Sequence, residues 1–155
     1  MNPTTLSNDA VQLCAFYVGG TEYAVDIMRV DEILQPQRVT PLPDAPPWIE
    51  GVMNLRGQLV PVVDLRSRLG AKGTPPPRLK PKWVVTLVGR RRIALAVDGV
   101  SEVARVSRNA LRPLPSLGLS RTEASPVIGG FGPPERVRLL LDVKALLRHD
   151  AQGTR

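Results

Sequence analysis

The sequence predicts a mostly β fold built from two similar halves, and three observations carry that expectation. Sixteen Pro and thirteen Gly among 155 residues punctuate the chain with turns, while aromatics supply only 4%, so the core must be largely Val, Leu, Ile and Ala. The apolar runs between those turns are short and rich in β-branched residues, as half-buried strands require. Finally, the chain resembles itself: a slide of 70 positions pairs Gly19 with Gly89, Ala24 with Ala94, Val30 with Val100 and Glu32 with Glu102 without a gap. Conservative pairs fall between them, such as Tyr23 with Ile93 and Ile33 with Val103. A slide of 78 then matches Gly51 with Gly129, Val62 with Leu140, Asp64 with Asp142 and Leu69 with Leu147. Short strands with Gly/Pro turns in each copy point to two small barrels or sandwiches rather than a helical solenoid.

In chain order, residues 1–11 read as a flexible tail, and residues 11–18 and 22–27 as two strands joined by the Gly19-Gly20 turn. Residues 71–82 hold too much Pro and charge for a central strand and read as a linker between a first barrel at about 12–70 and a second at about 83–149. Beyond it, residues 83–88 and 92–97 repeat the opening pattern around Gly89-Arg90. Helix is confined to residues 64–69 and 142–148, where an Asp stands ready to accept the first free N–H groups of a turn. Val143, Leu146 and Leu147 share one face of the latter, which should pack on a barrel as a short C-terminal helix. Residues 150–155 read as a second tail, so 12–149 form one domain.

Composition argues against catalysis and against bound cofactors or metals. A single cysteine, Cys14, lies in an alternating apolar pattern, and the only histidine, His149, stands at the charged C-terminal edge. Phosphate loops and nucleophile elbows are missing, and Asp31-Glu32, adjacent on a strand, read as a solvated edge rather than an acid–base pair. No apolar run is long enough to span a bilayer, and residues 1–10 lack the basic flank of a secretion signal, so a cytoplasmic location is expected. The net charge of +7 is uneven: residues 1–70 carry five basic and eight acidic groups, residues 71–155 sixteen and six. Seventeen of the 21 basic residues are Arg, so part of the bias reflects composition as much as any polyanionic partner.

The informative stretch is residues 51–65, Gly-Val-Met-Asn-Leu-Arg-Gly-Gln-Leu-Val-Pro-Val-Val-Asp-Leu, in which Asn54-Leu55-Arg56-Gly57 turns between two apolar runs. At the slide of 78 this turn becomes Gly132-Pro133-Pro134-Glu135, so it has no sequence counterpart in the second half. A hairpin needs Asn54 and Gly57 for positive φ but has no use for Arg56, which makes Arg56 the leading functional candidate.

Phe16 to Val25, Val30-Asp31-Glu32-Ile33-Leu34, Gly51 to Gly57, Val60 to Arg66 and Val97-Asp98-Gly99-Val100 together resemble, in order and spacing, the CheW family of chemotaxis coupling proteins, from about residue 13 to 147. The resemblance implies two SH3-like barrels of about five strands each, and, since family members exchange strands between barrels, it makes the cut at residues 71–82 approximate. It also implies a non-catalytic adaptor without cofactors, bridging the cytoplasmic tip of a chemoreceptor and the regulatory domain of a CheA-type histidine kinase, and recruited to receptor clusters. The receptor tip is expected in an apolar groove between the barrels, helix in groove, at Val30, Glu32, Gly51, Asn54, Arg56, Gly57, Val100 and Val103. As plain core residues, Val100 and Val103 would simply be buried like their mates Val30 and Ile33. A pI near 10.5 and the run Arg90-Arg91-Arg92, read as a solvated loop, set this chain apart from many members and leave room for a paralogous pathway in twitching motility, biofilm formation or second-messenger synthesis. A distant alternative is a basic β-barrel that binds nucleic acid, although only Trp83 interrupts the basic cluster as a stacking residue.

Overall fold

The computed structural model describes residues 9–114 and 125–147; the expected tail at 150–155, His149 and most of the tail at 1–11 lie outside them. Among these described residues eleven strands run in the order β1 (Ala10–Val18), β2 (Thr21–Asp26), β3 (Val30–Leu34), β4 (Ile49–Leu55), β5 (Gln58–Asp64), β6 (Lys82–Val88), β7 (Arg91–Val97), β8 (Gly99–Ser107), β9 (Arg112–Pro113), β10 (Val127–Phe131) and β11 (Arg138–Leu141). Three end residues of expected irregular segments are strand: Ala10 and Val11, placed in the tail, pair with Ser107 and Val106, and Lys82, placed in the linker, pairs with Val97. The anticipated helical turns form at Leu65–Leu69 and at 143–147, with the carboxylates of Asp64 and Asp142 accepting from the amides of Arg66 and Lys144 at 3.1 Å.

The cut at 71–82 divides the chain but not the sheets. One sheet runs β8-β1-β2-β11-β10-β9, the other β3-β6-β7-β5-β4, so each takes strands from both halves. The exchange is reciprocal. β3 of the first half pairs with β6, aligning Val30 with Thr86 and Glu32 with Val85; β8 of the second half pairs with β1, aligning Val100 with Phe16 and Glu102 with Ala15. These are the same pairs displaced by the 70-residue slide, and each carries a bulge at the same point, at Asp31 and at Ser101. The parallel contacts match as well, Ala94 against Val62 and Ala24 against Leu140.

Three apolar clusters follow from this arrangement. Met53, Leu55, Val60, Val62, Trp83, Val85 and Ala94 fill the five-stranded subdomain, and Leu13, Ala15, Ala24, Ala104 and Phe131 the six-stranded one. The largest cluster is the seam between them, where Phe16, Val25 and Leu141 of one sheet meet Val63, Ile93 and Leu95 of the other. Leu146 of the last helix is fully buried there. Arg68 donates to the carbonyls of Ala145 and Leu146 at 3.2 and 2.9 Å, satisfying the end of that helix while its guanidinium lies 5.5 Å from the Trp48 ring. The segment after residue 70 is held in place as well: the Gly20 amide donates to the Lys72 carbonyl, and the Leu79 side chain lies where a side chain on Gly99 would have to go.

Candidate functional site

The β4–β5 hairpin turns on two residues, Arg56 and Gly57, with Leu55 paired to Gln58 and Asn54 to Leu59. Both turn residues have positive φ, 49° and 88°, the pattern of a type I′ turn whose twist matches the flanking strands. Positive φ therefore falls on Arg56 and not on Asn54, contrary to the sequence expectation. Asn54 stays in the strand and locks the turn from its side chain, whose Oδ1 accepts the Gly57 amide at 2.8 Å. Asn or Gly would enter the first turn position at lower conformational cost. Arg there adds a charged side chain that is 67% exposed and reaches the Glu32 carboxylate with both terminal nitrogens, Nη1 standing 3.5 Å from Oε1. Hydrogen bonding to Glu32 pushes the Arg56 guanidinium above its already high ordinary pKa.

Glu32 meets Arg56 because of the bulge one residue earlier. That bulge sends Asp31 to a different partner, Arg92, whose Nε donates to it at 2.9 Å while Nη1 donates to Gln58 Oε1 at 2.7 Å. The Asp31-Glu32 pair is thus not a free solvated edge: each carboxylate has its own arginine. Arg90-Arg91-Arg92 likewise divides, with Arg92 held and Arg90 and Arg91 exposed.

The fold therefore unites Glu32, Asn54, Arg56 and Gly57 at one rim. Gly51, three residues down β4, is buried with φ 148°, and a side chain there would put its Cβ 2.1 Å from the Thr40 carbonyl oxygen; its demonstrable role is close packing. Val30 and Val100 are half-buried against the seam, at equivalent places in the two sheets. Val103 is 52% exposed and its repeat mate Ile33 41%, so the plain core reading fails for both: the bulges turn these residues outward. Ile33 is the residue that the sequence reading left off the candidate set, although its pairing with Val103 at the 70-residue slide was visible.

A second ionic cluster went unforeseen. Glu22, only 4% exposed, receives Arg136 through two 2.9 Å bonds and the Ser101 hydroxyl at 2.6 Å. Arg136 and Arg138 each also donate to Glu102 at 3.0 Å. Burial works to raise the Glu22 pKa, but the hydrogen bonds from Arg136 and Ser101 outweigh it and hold the carboxyl below its ordinary value. Glu102 is the mate of Glu32, so the second copy keeps an arginine on this glutamate by other means, from the 3-10 turn Pro134–Arg136 and the first residue of β11. Cys14 is fully buried, and burial pushes its thiol up, away from the reactive thiolate. Among the described residues no group of three or more His, Cys, Asp or Glu is placed to hold a metal, and no helix is long and apolar enough to cross a membrane. The rim itself presents a fixed ion pair, Glu32 with Arg56, and the sheets present the outward side chains of Ile33 and Val103.

Residues 12–151 match the model of the CheW-like domain. The chain is 36% identical over 135 residues to the chemotaxis protein CheW of Klebsiella aerogenes, covering 85% of this chain and 78% of that protein. To the chemotaxis protein CheW of Rhizobium meliloti it is 40% identical over 112 residues, 72% of each. A shorter likeness, 38% over 60 residues, covers 39% of this chain and 34% of Protein PilI of Pseudomonas aeruginosa. The crystal structure of the scaffolding protein TtCheW from Thermoanaerobacter tengcongensis superposes with a TM-score of 0.73 at 26% identity, over 85% of this chain and 88% of that one. Two subdomains of the SH3-like kind with reciprocally exchanged strands, and a family match spanning nearly all of the described residues, lead to one assignment: the chain belongs to the CheW-like domain family.

Proposed function

We propose that this protein is a non-catalytic scaffold of chemotaxis signal transduction, coupling the cytoplasmic tip of a chemoreceptor to the regulatory domain of a CheA-type histidine kinase. It works in the cytoplasm, is recruited to receptor clusters and needs no cofactor. The observation that carries the reading is Arg56. An arginine occupies a turn position with φ 49° where a smaller residue costs less, and its exposed guanidinium is aimed by Glu32. That combination suits a surface that must present one oriented charge to a helix. Val30, Val100 and the outward Val103 supply apolar contact for the helix, Asn54 and Gly57 shape the turn, and Gly51 keeps the strand beneath it closely packed.

The test is reconstitution of the purified chain with the CheA-type kinase and a receptor from the same organism, reading receptor-stimulated autophosphorylation. Wild type is expected to restore coupling and Arg56→Glu to lose receptor binding while retaining the kinase. Absence of any binding to kinase and receptor would overturn the reading. A second reading, the same scaffold in a paralogous chemosensory pathway, rests on the likeness to PilI. The motility or biofilm phenotype of a deletion strain separates the two. The nucleic-acid alternative loses its stacking platform, because Trp83 is 4% exposed and sits inside the five-stranded subdomain.

A further inference from the structure

On the five-stranded subdomain, the outer face of β5 and β7 is buried in the seam at Val63, Ile93 and Leu95 and is left open only at its end near the hairpin turn. Along β5 the side chains alternate, so Val60 and Val62 enter the subdomain core while Leu59, Pro61 and Val63 face outward. Val63 is buried in the seam, Pro61 is half-covered, and Leu59 is left 71% exposed. This outward row borders two adjoining cavities of about 560 and 310 Å³ that share Pro61 and Arg91. Leu42, 44% exposed, lines the wall of the larger one, and Arg90 lines the smaller. Arg92 is committed to Asp31 and Gln58, whereas Arg90 and Arg91 are exposed. One carboxylate, Asp44, lines the larger cavity against the two guanidinium groups of Arg90 and Arg91, so the trough is largely apolar with a net positive charge, complementary to leucine flanked by carboxylates.

This chain is poorly equipped to fill the trough itself. The carboxylates of Asp31, Glu32, Glu22, Glu102 and Asp98 are held in ion pairs, and those of Asp26 and Asp64 cap turns. Residues 1–8, 115–124 and 148–155 hold two carboxylates, Glu123 and Asp150, against three arginines. A net charge of +7 likewise disfavours a second copy as occupant. Nor does the face suit a nucleic acid, since five of the six aromatic rings, Phe16, Tyr23, Trp48, Trp83 and Phe131, are buried and none lines either cavity.

We propose that the β5–β7 face, bounded by Leu42, Leu59, Pro61, Arg90 and Arg91, docks an acidic, leucine-bearing segment of a partner protein, independently of the Glu32–Arg56 ion pair. The reading goes beyond receptor and kinase coupling and does not require it.

The experiment is an NMR titration of the full chain with the peptide acetyl-Glu-Glu-Leu-Gly-Leu-Glu-Glu-amide. Saturable amide shifts are expected, confined to residues 41–46, 58–61 and 89–93. Replacing both leucines of the peptide by serine should weaken binding by at least about fivefold, and so should Arg90→Gln with Arg91→Gln in the protein. Leu59→Ser gives a second, single-site variant, and unchanged shifts elsewhere report that each variant is folded. Arg56→Ala should leave the titration intact, which keeps this face distinct from the proposed receptor site. Shifts scattered over Arg105 and Arg108, equal binding of the serine peptide, equal binding by the double variant, loss of binding in Arg56→Ala, or tighter binding of oligothymidylate at the same amides would each overturn the proposal.

Discussion

Glu32 and Glu102 hold the same place in the two copies, each just beyond a bulge in a strand that has crossed to the other half's sheet. Their surroundings have diverged. Glu102 belongs to a cluster in which Arg136 also grips the buried Glu22 and Arg138 lies with its guanidinium 4.6 Å from the Phe131 ring. Glu32 has one arginine, Arg56, and that arginine is two-thirds exposed. One copy uses the position to close its subdomain, whereas the other leaves a charged tip in water. Duplication supplies the same scaffold twice, and the position that one copy uses to close its fold is free to diverge in the other, as the proposed binding role of Arg56 requires.

The comparison breaks most severely where the copies are still alike. Gly51 and Gly129 are mates at the slide of 78, and a Cβ on either would stand 2.1 Å from the Thr40 oxygen or 2.3 Å from the Arg112 oxygen, backbone atoms that cannot step aside cheaply. Gly51→Ala and Gly129→Ala are each expected to destabilise by at least about 2 kcal/mol, measured by urea unfolding. Gly57→Ala, with nothing within 4 Å of the new Cβ, should cost only its positive φ, about 1 kcal/mol. Gly51 combines positive φ with crowding, Gly57 has positive φ alone and Gly129 crowding alone, so a Gly129→Ala loss no larger than that of Gly57→Ala would show that crowding does not govern these sites.

Next in size is the buried cluster. Removing one member of a fully buried ion pair costs roughly 3–5 kcal/mol. Arg136 is itself 47% exposed, so water replaces part of what it supplies, and Arg136→Ala should cost about 2 kcal/mol. The pH dependence follows from the lowered Glu22 pKa. A carboxyl whose folded pKa lies below its unfolded value contributes stability in full above the unfolded value and loses it as pH falls through the folded one. Without Arg136 two of the influences that lower the Glu22 pKa are gone while burial still acts to raise it, so the variant loses less stability than wild type as acid protonates the carboxyl. The gap between wild type and Arg136→Ala should therefore narrow between pH 7 and about pH 3.5. A gap that stays constant would mean that Glu22 is not the group responsible.

Much of this contrast was legible in the sequence, and the remainder failed for identifiable reasons. The repeat, the first strands and the capped helical turns follow from local pattern, because apolar alternation, Gly19-Gly20 and the capping Asp64 act within a few residues. The reciprocal exchange of β3 and β8 was invisible to that pattern: each strand has the same burial demands whichever half it pairs with, and only three-dimensional closure selects the partner. The outward turn of Ile33 and Val103 depends on bulges that no residue type announces. Glu22 was overlooked because a carboxylate in a strand reads as solvent-facing until its arginine, 114 residues away, is brought to it. Arg56 was found for a sound reason, the mismatch between its type and the needs of a turn, even though the positive φ was assigned to Asn54.

The smallest effect on stability and the most informative effect on binding are expected at Arg56. Its pair with Glu32 is exposed and screened by salt, so Arg56→Ala should move the melting midpoint little, and Arg56→Gly should raise it slightly by relieving the positive φ. Receptor binding should nevertheless fall about tenfold in either variant, as for an oriented interface charge. The double exchange Glu32→Arg with Arg56→Glu then separates two ways in which the arginine acts. If the pair only braces the hairpin, the reversed pair braces it equally and binding returns. If Arg56 meets a carboxylate of the receptor, the reversed pair presents the wrong sign and binding stays lost or worsens, which is the outcome the exposed guanidinium predicts. Restored binding in the double exchange would reduce Arg56 to a brace, and the two copies would then differ only in how deeply they bury the same ion pair.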